Sequence, residues 1–293
     1  MKPLLILLLT CCLFQTHALT SFEFPADSSK TDTAIVKKYS KYKFELSYSS
    51  NSTYNGRKDT SNNSQLISPS FKYTSKSKFY IKTSLVNSSG SKKVFDEFDA
   101  SLGQKFRFAK NWDGNLSYSH YFYDSNVSRI RATIQNDIFA STGYDWKVLY
   151  SQLQFDWGGG SNKFKYKGKS VSKKTHDITF ILANSHQFWL DDVLKKGDDL
   201  VIMPEVDILY GTQNFLATYK GKRDSTSRAY QKEASKYVIT GYIMTLDISY
   251  DIKNFTVGIS PYYTIPANVP GGGSSTPYFV MYGSIYYTIK GRK

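Results

Sequence analysis

The chain has 293 residues and a formal net charge of +14, and 16% of its residues are aromatic although its mean hydropathy is negative. Beyond residue 18, no stretch approaches the ~20 apolar residues that a membrane-spanning helix needs. Both cysteines lie before that point, so the rest of the chain has no disulfides. These features argue against a helical membrane protein and against a disulfide-stapled secreted domain.

The first eighteen residues, MKPLLILLLTCCLFQTHA, predict a secretory signal peptide. Lys2 supplies the positive start, residues 4–14 form a short apolar run, and Ala18 ends a cleavage-type triplet. Export through the inner membrane follows. A lipoprotein signal, acylated at Cys11 or Cys12, is the alternative. A polar leader is predicted at 19–40, followed by a single domain at 41–293.

That domain contains twelve strand-like runs in which apolar and polar residues alternate, the pattern of strands with two different environments. They cover 41–54, 64–74, 78–87, 93–109, 115–124, 129–141, 147–157, 176–187, 199–214, 237–251, 255–265 and 277–290.

Short and long connections between these runs alternate along the chain. The short series is 75–77, 110–114, 142–146, 188–198 and 252–254, in which 188–198 is irregular. The long series is 55–63, 88–92, 125–128, 158–175, 215–236 and 266–276. Short periplasmic turns and longer extracellular loops are typical of an outer-membrane barrel. The fold prediction is therefore all-β: a single antiparallel transmembrane β-barrel of about twelve strands, with both termini on the periplasmic side.

The alternation alone does not decide which face of the strands contacts water. In a soluble sandwich the apolar face points inward, whereas in a membrane barrel it points outward to lipid. The run 93–109 places Phe98, Leu102 and Phe106 opposite Glu97 and Asp99. Charges of both signs beside many Gly and Ser residues favour a confined lumen.

The polar faces predict the side chains that set the selectivity of that lumen. They are Lys105, Arg107, Arg129, Arg131, Glu97, Asp99, Asp137, Glu205, Asp207 and Asp247. Within each pair Glu97/Asp99 and Glu205/Asp207, the residues lie about 7 Å apart along one strand. We interpret these carboxylates as partners of lumen lysines and arginines, and we predict no metal, no cofactor and no catalytic group.

Excess positive charge falls in two long connections. Their basic residues are Lys163, Lys165, Lys167, Lys169, Lys173, Lys174, Lys220, Lys222, Arg223 and Arg228. Clustered basic residues attract anionic surfaces, so outer-membrane lipid and lipopolysaccharide phosphates are the predicted partners. Simple solvation of these loops is the alternative, and nucleic acid is not an expected partner outside the cell.

The irregular connection contains Phe188, Trp189 and Leu194, which predict a short amphipathic turn acting as an interfacial anchor at the membrane boundary. Docking of an envelope protein partner is a second interpretation of the same segment.

Three stretches carry a resemblance: HQFWLDDVLKKGDDLVIMPEVDILYGTQNF, IMTLDISYDIKNFTVGISPYYTIPAN and FVMYGSIYYTI. They resemble small outer-membrane β-barrel proteins of Bacteroidota, mainly over 176–290. Those proteins share a His-aromatic-Asp segment, a Pro-started strand ending in Gly-Thr-Gln, and a final hairpin with Tyr-x-Ile-Pro. The resemblance implies an outer-membrane location and a porin-like architecture rather than a particular activity.

The sequence thus predicts a narrow channel that passes ions or small solutes. A non-conducting structural or adaptor barrel in an envelope complex is the alternative, and a lipid hydrolase is the third hypothesis. A Ser/His hydrolase needs a base held beside its nucleophile. Neither His120, which falls on the lipid-facing register, nor His176 and His186, at opposite ends of one strand, meets that need.

Overall fold

The computed structural model describes residues 39–54, 57–58, 65–89, 91, 93–123, 134–166, 169–216, 232–270 and 275–291. The strands are β1 (Lys41–Ser49), β2 (Thr53–Tyr54), β3 (Arg57–Lys58), β4 (Leu66–Thr74), β5 (Phe79–Ser88), β6 (Glu97–Ala109), β7 (Trp112–Tyr123), β8 (Ile134–Asp145), β9 (Tyr150–Tyr166), β10 (Lys169–Ser185), β11 (Phe188–Asp191), β12 (Asp198–Gly211), β13 (Val238–Ile252), β14 (Phe255–Pro266) and β15 (Tyr278–Lys290). Residues 214–216 and 232–234 are helical. The predicted signal peptide and nearly all of the leader lie outside the described residues.

Twelve of these strands form one antiparallel ring in the order β1-β15-β14-β13-β12-β10-β9-β8-β7-β6-β5-β4, and β4 lies beside β1 to close it. β1 is paired with β15 over all nine of its residues. β2 and β3 form a small hairpin in the first connection, and β11 pairs only with β12. The predicted twelve-stranded barrel is confirmed.

The ring has two different rims. At one, here called the short-turn rim, neighbouring strands are joined by the turns at 75–78, 110–111, 146–149 and 253–254, and the terminal residues Lys41 and Lys290 pair with each other. The opposite rim, the long-loop rim, includes the connections 50–65 and 212–237. Within the part of the chain that the structure describes, no helix is long and apolar enough to cross a membrane.

The exposure of the side chains shows that the apolar face of the strands points outward and the polar face points into the barrel. On β6, Phe98 and Leu102 are 38% and 50% exposed, whereas Glu97 and Asp99, which flank Phe98, are 4% and 9% exposed. The same inversion recurs around the ring. Exposed large apolar side chains include Phe44, Leu46, Ile67, Ile81, Leu116, Phe122, Leu153, Leu182, Val206, Met244, Tyr263, Phe279 and Ile285. Since burying apolar surface drives folding in water, such an exterior belongs in lipid, and the chain is a transmembrane β-barrel.

Three prolines explain where the backbone ladders are interrupted, because proline has no N–H to donate. Pro69 in β4 and Pro261 in β14 each coincide with a two-residue gap in the register, with β5 and β13 respectively. Pro204 in β12 lies opposite 186–187, where the chain divides into β10 and β11.

The predicted loop at 158–175 is wrong. β9 continues to Tyr166 and β10 starts at Lys169, with unbroken pairing, so the segment is a β-hairpin. Pairing to the neighbours β8 and β12 ends at Gly160 and Thr179. The hairpin therefore extends past the described residues of β8 and β12 at the long-loop rim.

Half of the ten predicted basic loop residues therefore lie on the strands of this hairpin. The strand residues among them are Lys163, Lys165, Lys169, Lys173 and Lys174. Lys167, Lys220, Lys222, Arg223 and Arg228 lie outside the described residues.

The predicted amphipathic turn at 188–198 is also a hairpin. β11 pairs with β12 from Phe188–Ile202 to Asp191–Asp199, and the chain turns at 192–197. Phe188 and Leu194 are exposed, whereas Trp189 pairs with the buried Val201 and is half-buried. Of the three predicted anchor residues, Phe188 and Leu194 are thus exposed and Trp189 is only half-exposed.

Asp198 holds this hairpin turn and supplies a first prediction. Its buried carboxylate accepts the N–H groups of Leu194 (3.2 Å) and Lys195 (2.9 Å) and the hydroxyl of Tyr250. Asp198→Ala leaves these donors without their acceptor, which costs about 1–3 kcal/mol. We expect trypsin to cut after Lys195 and Lys196 faster than in the native chain, measured by mass spectrometry of the fragments. Asp191→Ala, an exposed carboxylate of the same hairpin, is the control, and equal cleavage of the two variants would contradict the assignment.

Candidate functional site

The lumen is the candidate site, and alternation places seven predicted residues on its wall. They are Lys105, Glu97, Asp99, Asp137, Glu205, Asp207 and Asp247. Arg107 sits at the short-turn rim, exposed, and donates to the carbonyl oxygen of Lys110 at 2.7 Å, so it flanks the opening. Arg129 and Arg131 lie outside the described residues.

One side of the lumen carries lysines on four neighbouring strands. They are Lys43 on β1, Lys72 on β4, Lys82 on β5 and Lys105 on β6. Lys72 and Lys82 are directly opposite each other in the β4–β5 register. Two like charges directly opposite each other destabilise a sheet, so the Lys72–Lys82 pair lowers the stability of the barrel. The ammonium groups of Lys43 and Lys72 lie 3.6 Å and 4.2 Å from the ring centres of Tyr286 and Tyr80, and such cation–π contacts offset part of the cost.

The other side carries three carboxylates on β12 and β13. Glu205 and Asp207 are two residues apart on β12, and Asp247 lies on the neighbouring β13. Asp247 is two positions from Thr245, the residue opposite Glu205. No group of three or more His, Cys, Asp or Glu among the described residues has the geometry to hold a metal ion.

The two charged walls oppose each other. β12 and β5 are separated by six steps around the ring in either direction, as are β13 and β6. A solute in the lumen therefore passes between a wall that carries four lysines (Lys43, Lys72, Lys82, Lys105) beside the carboxylates of Glu45, Glu97 and Asp99, here called the basic wall, and an acidic wall (Glu205, Asp207, Asp247). On β1, Lys43 and Glu45 form an ion pair at 3.4 Å.

Tyrosines narrow the lumen and are positioned by glycines. A Cβ at Gly103 would lie 2.4 Å from Cζ of Tyr80, and one at Gly143 would lie 1.9 Å from the hydroxyl of Tyr150. Both rings therefore lie flat over the wall. The Tyr150 hydroxyl donates to Asp113 at 2.8 Å. The interior is narrow enough that Glu205, like the carboxylates of β6, is almost fully shielded from solvent.

At the long-loop rim, the start of the β12–β13 connection folds into the mouth of the barrel. The carboxylate of Asp177, on β10, accepts the hydroxyl of Thr212 (2.7 Å) and the N–H groups of Asn214 (2.6 Å) and Phe215 (3.0 Å). Phe215 is completely buried in a cluster with Leu216, Tyr121 and Ile134, against which Val269 packs. Because Tyr121 and Ile134 belong to β7 and β8, this cluster reaches across the mouth.

Arg57 ties the same segment to two further connections. Its guanidinium donates to Oε1 of Gln213 at 3.0 and 2.7 Å and to the carbonyl oxygen of Ala267 at 2.6 Å. We call Arg57, Gln213, Phe215, Leu216 and Val269 the mouth hub. Sequence reasoning missed it, although the Gly-Thr-Gln that contains Gln213 was one of the features behind the resemblance.

His120 and His186 each lie beside an aromatic ring rather than on the charged walls. His120 faces outward beside the ring of Phe122 (4.4 Å between centres) and hydrogen-bonds Asn136 at 2.9 Å. His186 stands beside the ring of Phe188, also at 4.4 Å. The lipid-facing position expected for His120 is thus the observed one.

Comparisons with known proteins give likeness in architecture alone. No family model and no curated protein matches the chain. Among solved structures, the NanC porin is similar with a TM-score of 0.45 and 8% identity, over 84% of this chain and 98% of that one. The KdgM porin gives 0.46 and 9% over the same shares, and the β domain of the Bordetella autotransporter BrkA gives 0.41 and 8% over 85% and 98%.

Proposed function

We propose that this protein is a narrow channel in a bacterial outer membrane, of the Bacteroidota type that its sequence resembles, which passes ions or small polar solutes. The single observation that carries the proposal is the pair of opposed charged walls inside a closed barrel with an apolar exterior. Like-charged groups held together along a lumen cost folding energy, and rings of charged side chains are how pores select ions. The predicted export signal and the basic long-loop rim fit this location, with lipopolysaccharide phosphates as counterions of that rim.

Charge-selectivity measurements test the proposal directly. Glu205→Gln/Asp207→Asn/Asp247→Asn, measured in a KCl gradient across a planar bilayer, is expected to shift the reversal potential toward anion preference. Lys72→Gln/Lys82→Gln is expected to shift it toward cation preference, and each permeability ratio should change severalfold, because each variant removes one wall. Lys76→Gln, in an exposed turn at the short-turn rim, is the charge-matched control. If neither set of substitutions changes the reversal potential, the proposal is contradicted.

The mouth hub favours a second candidate, a non-conducting structural or adaptor barrel. Phe215 and Leu216 lie at the long-loop end of the barrel, packed against Tyr121 and Ile134. Silence of the native protein in single-channel recordings, together with silence of variants in which the hub is loosened, supports that candidate over the channel.

A further inference from the structure

The joint between β1 and β4 differs from the other joints of the ring. Every other pair of neighbours shares a backbone ladder, from β1 through β15 round to β4. β1 and β4, both fully described, lie side by side without one.

Side chains hold this joint instead of backbone hydrogen bonds. On the lumen side, the hydroxyl of Ser47 donates to the carbonyl oxygen of Ser68 at 3.3 Å. That carbonyl belongs to the residue before Pro69, and it receives a side-chain hydroxyl where a ladder would supply a backbone N–H. On the lipid side, aromatic rings overlap: Tyr42 lies 5.2 Å from Tyr73 between ring centres, and Phe44 lies 5.1 Å from Phe71.

Parting this joint therefore costs less than parting any other. Within hydrocarbon no water replaces a lost backbone hydrogen bond, so each broken ladder bond costs several kcal/mol. The β1–β15 joint has nine paired positions to lose. The β1–β4 joint loses only the Ser47 hydrogen bond and its ring contacts, which are weaker than a row of backbone hydrogen bonds in hydrocarbon.

A sideways opening also matches what the mouth hub does. With the hub at the long-loop end, a molecule that enters at the short-turn rim meets Phe215 and Leu216 before it can leave along the axis. The joint leads from lumen-facing hydroxyls (Ser47, Ser68) to lipid-facing rings. A purely polar solute would lose hydration by leaving through the joint into lipid, and a purely apolar one would be disfavoured in the charged lumen. The path therefore suits a molecule with both a polar and an apolar part.

We propose that the β1–β4 joint is a lateral portal through which an amphipathic lipid with a single acyl chain moves between the lumen and the bilayer. This proposal goes beyond ion passage along the axis and does not depend on it. The headgroup stays among the lumen hydroxyls and charges while the chain slides between Phe44 and Phe71.

A disulfide across the joint tests the portal. Ser47→Cys/Ser68→Cys is made in a background with Cys11→Ala and Cys12→Ala, so that no other cysteine is present. The purified protein is placed in phosphatidylcholine vesicles carrying fluorescent lysophosphatidylcholine, and albumin outside extracts the probe as it crosses from the inner leaflet. We expect the uncrosslinked protein to speed extraction over protein-free vesicles, oxidation to abolish the gain, and reductant to restore it.

The matched control is Ser101→Cys/Ser119→Cys, a laddered pair of β6 and β7 whose hydroxyls are 2.8 Å apart; its oxidation should leave extraction unchanged. A second variant, Phe44→Ala/Phe71→Ala, is expected to speed extraction severalfold. Its control, Phe98→Ala/Phe122→Ala, removes a similar ring contact (5.7 Å) from a laddered joint and should not.

Equal extraction from the oxidised and reduced forms of Ser47→Cys/Ser68→Cys, or no gain from the native protein, would overturn the portal. Bilayer conductance recorded on the same preparations separates the two proposals, since oxidation at Ser47/Ser68 should leave it unchanged. A silent protein that still moves the lipid refutes the channel but not the portal.

Discussion

Replacing Leu102 by arginine is expected to destabilise the folded barrel in a lipid bilayer by about 2–4 kcal/mol. Leu102 is half-exposed near the middle of β6 and lies between Ile81 and Tyr118 on the outer surface. If that surface faces hydrocarbon, the guanidinium must enter lipid or distort the bilayer around it. Urea titration in phosphatidylcholine vesicles, followed by tryptophan fluorescence, measures the loss in free energy of unfolding.

The control is Val94→Arg, an exposed apolar residue in the connection before β6, for which we expect a change below about 0.5 kcal/mol. The comparison discriminates between environments because both residues are exposed and apolar. A neutral or stabilising Leu102→Arg substitution would mean that the outer surface meets water, and the membrane assignment would fail.

The strand pattern was predictable because lipid imposes it. Within the membrane-spanning part, each outward residue must be apolar and each inward one is free to be polar, so periodicity marks both strand and face. Beyond the lipid this constraint disappears. The stretch 158–175 is rich in Gly, Ser and Lys, so its pairing as a hairpin left no hydrophobic signal and it was predicted to be a loop. At 188–198 an apolar cluster predicted an amphipathic turn, but this segment forms a β-hairpin because β11 pairs with β12.

The candidate site was predictable only as a list of inward residues. Alternation identified Glu205, Asp207 and Asp247, and antiparallel order placed them on adjacent strands. The mouth hub was beyond that reasoning, because Arg57 and Gln213 are 156 residues apart in the chain and meet through connections without periodicity. Likewise, Pro69 is visible in the sequence, but only the register shows which ladder it interrupts.

The mouth hub yields the second large expected effect: Arg57→Met should raise the single-channel conductance severalfold. Methionine keeps the length of the side chain but cannot donate to Gln213 or Ala267, so the β12–β13 segment loses its tie to the opposite side of the mouth. Gln213→Ala removes the acceptor of the same bonds and should give a similar increase. Because the two residues act through one contact, the double variant should conduct about as well as either single variant rather than multiplying their effects.

Loss of a positive charge near the mouth would itself alter ion flow, so Lys76→Met at the opposite rim serves as the charge control. Phe215→Ser completes the design, since it leaves Arg57 in place and removes the buried ring that anchors the segment among Tyr121 and Ile134. If the hub limits passage, this variant conducts like the Arg57 and Gln213 variants although its charge is native. Native conductance in all three would show that the segment does not obstruct the path, and the lumen between the charged walls would then be the constriction.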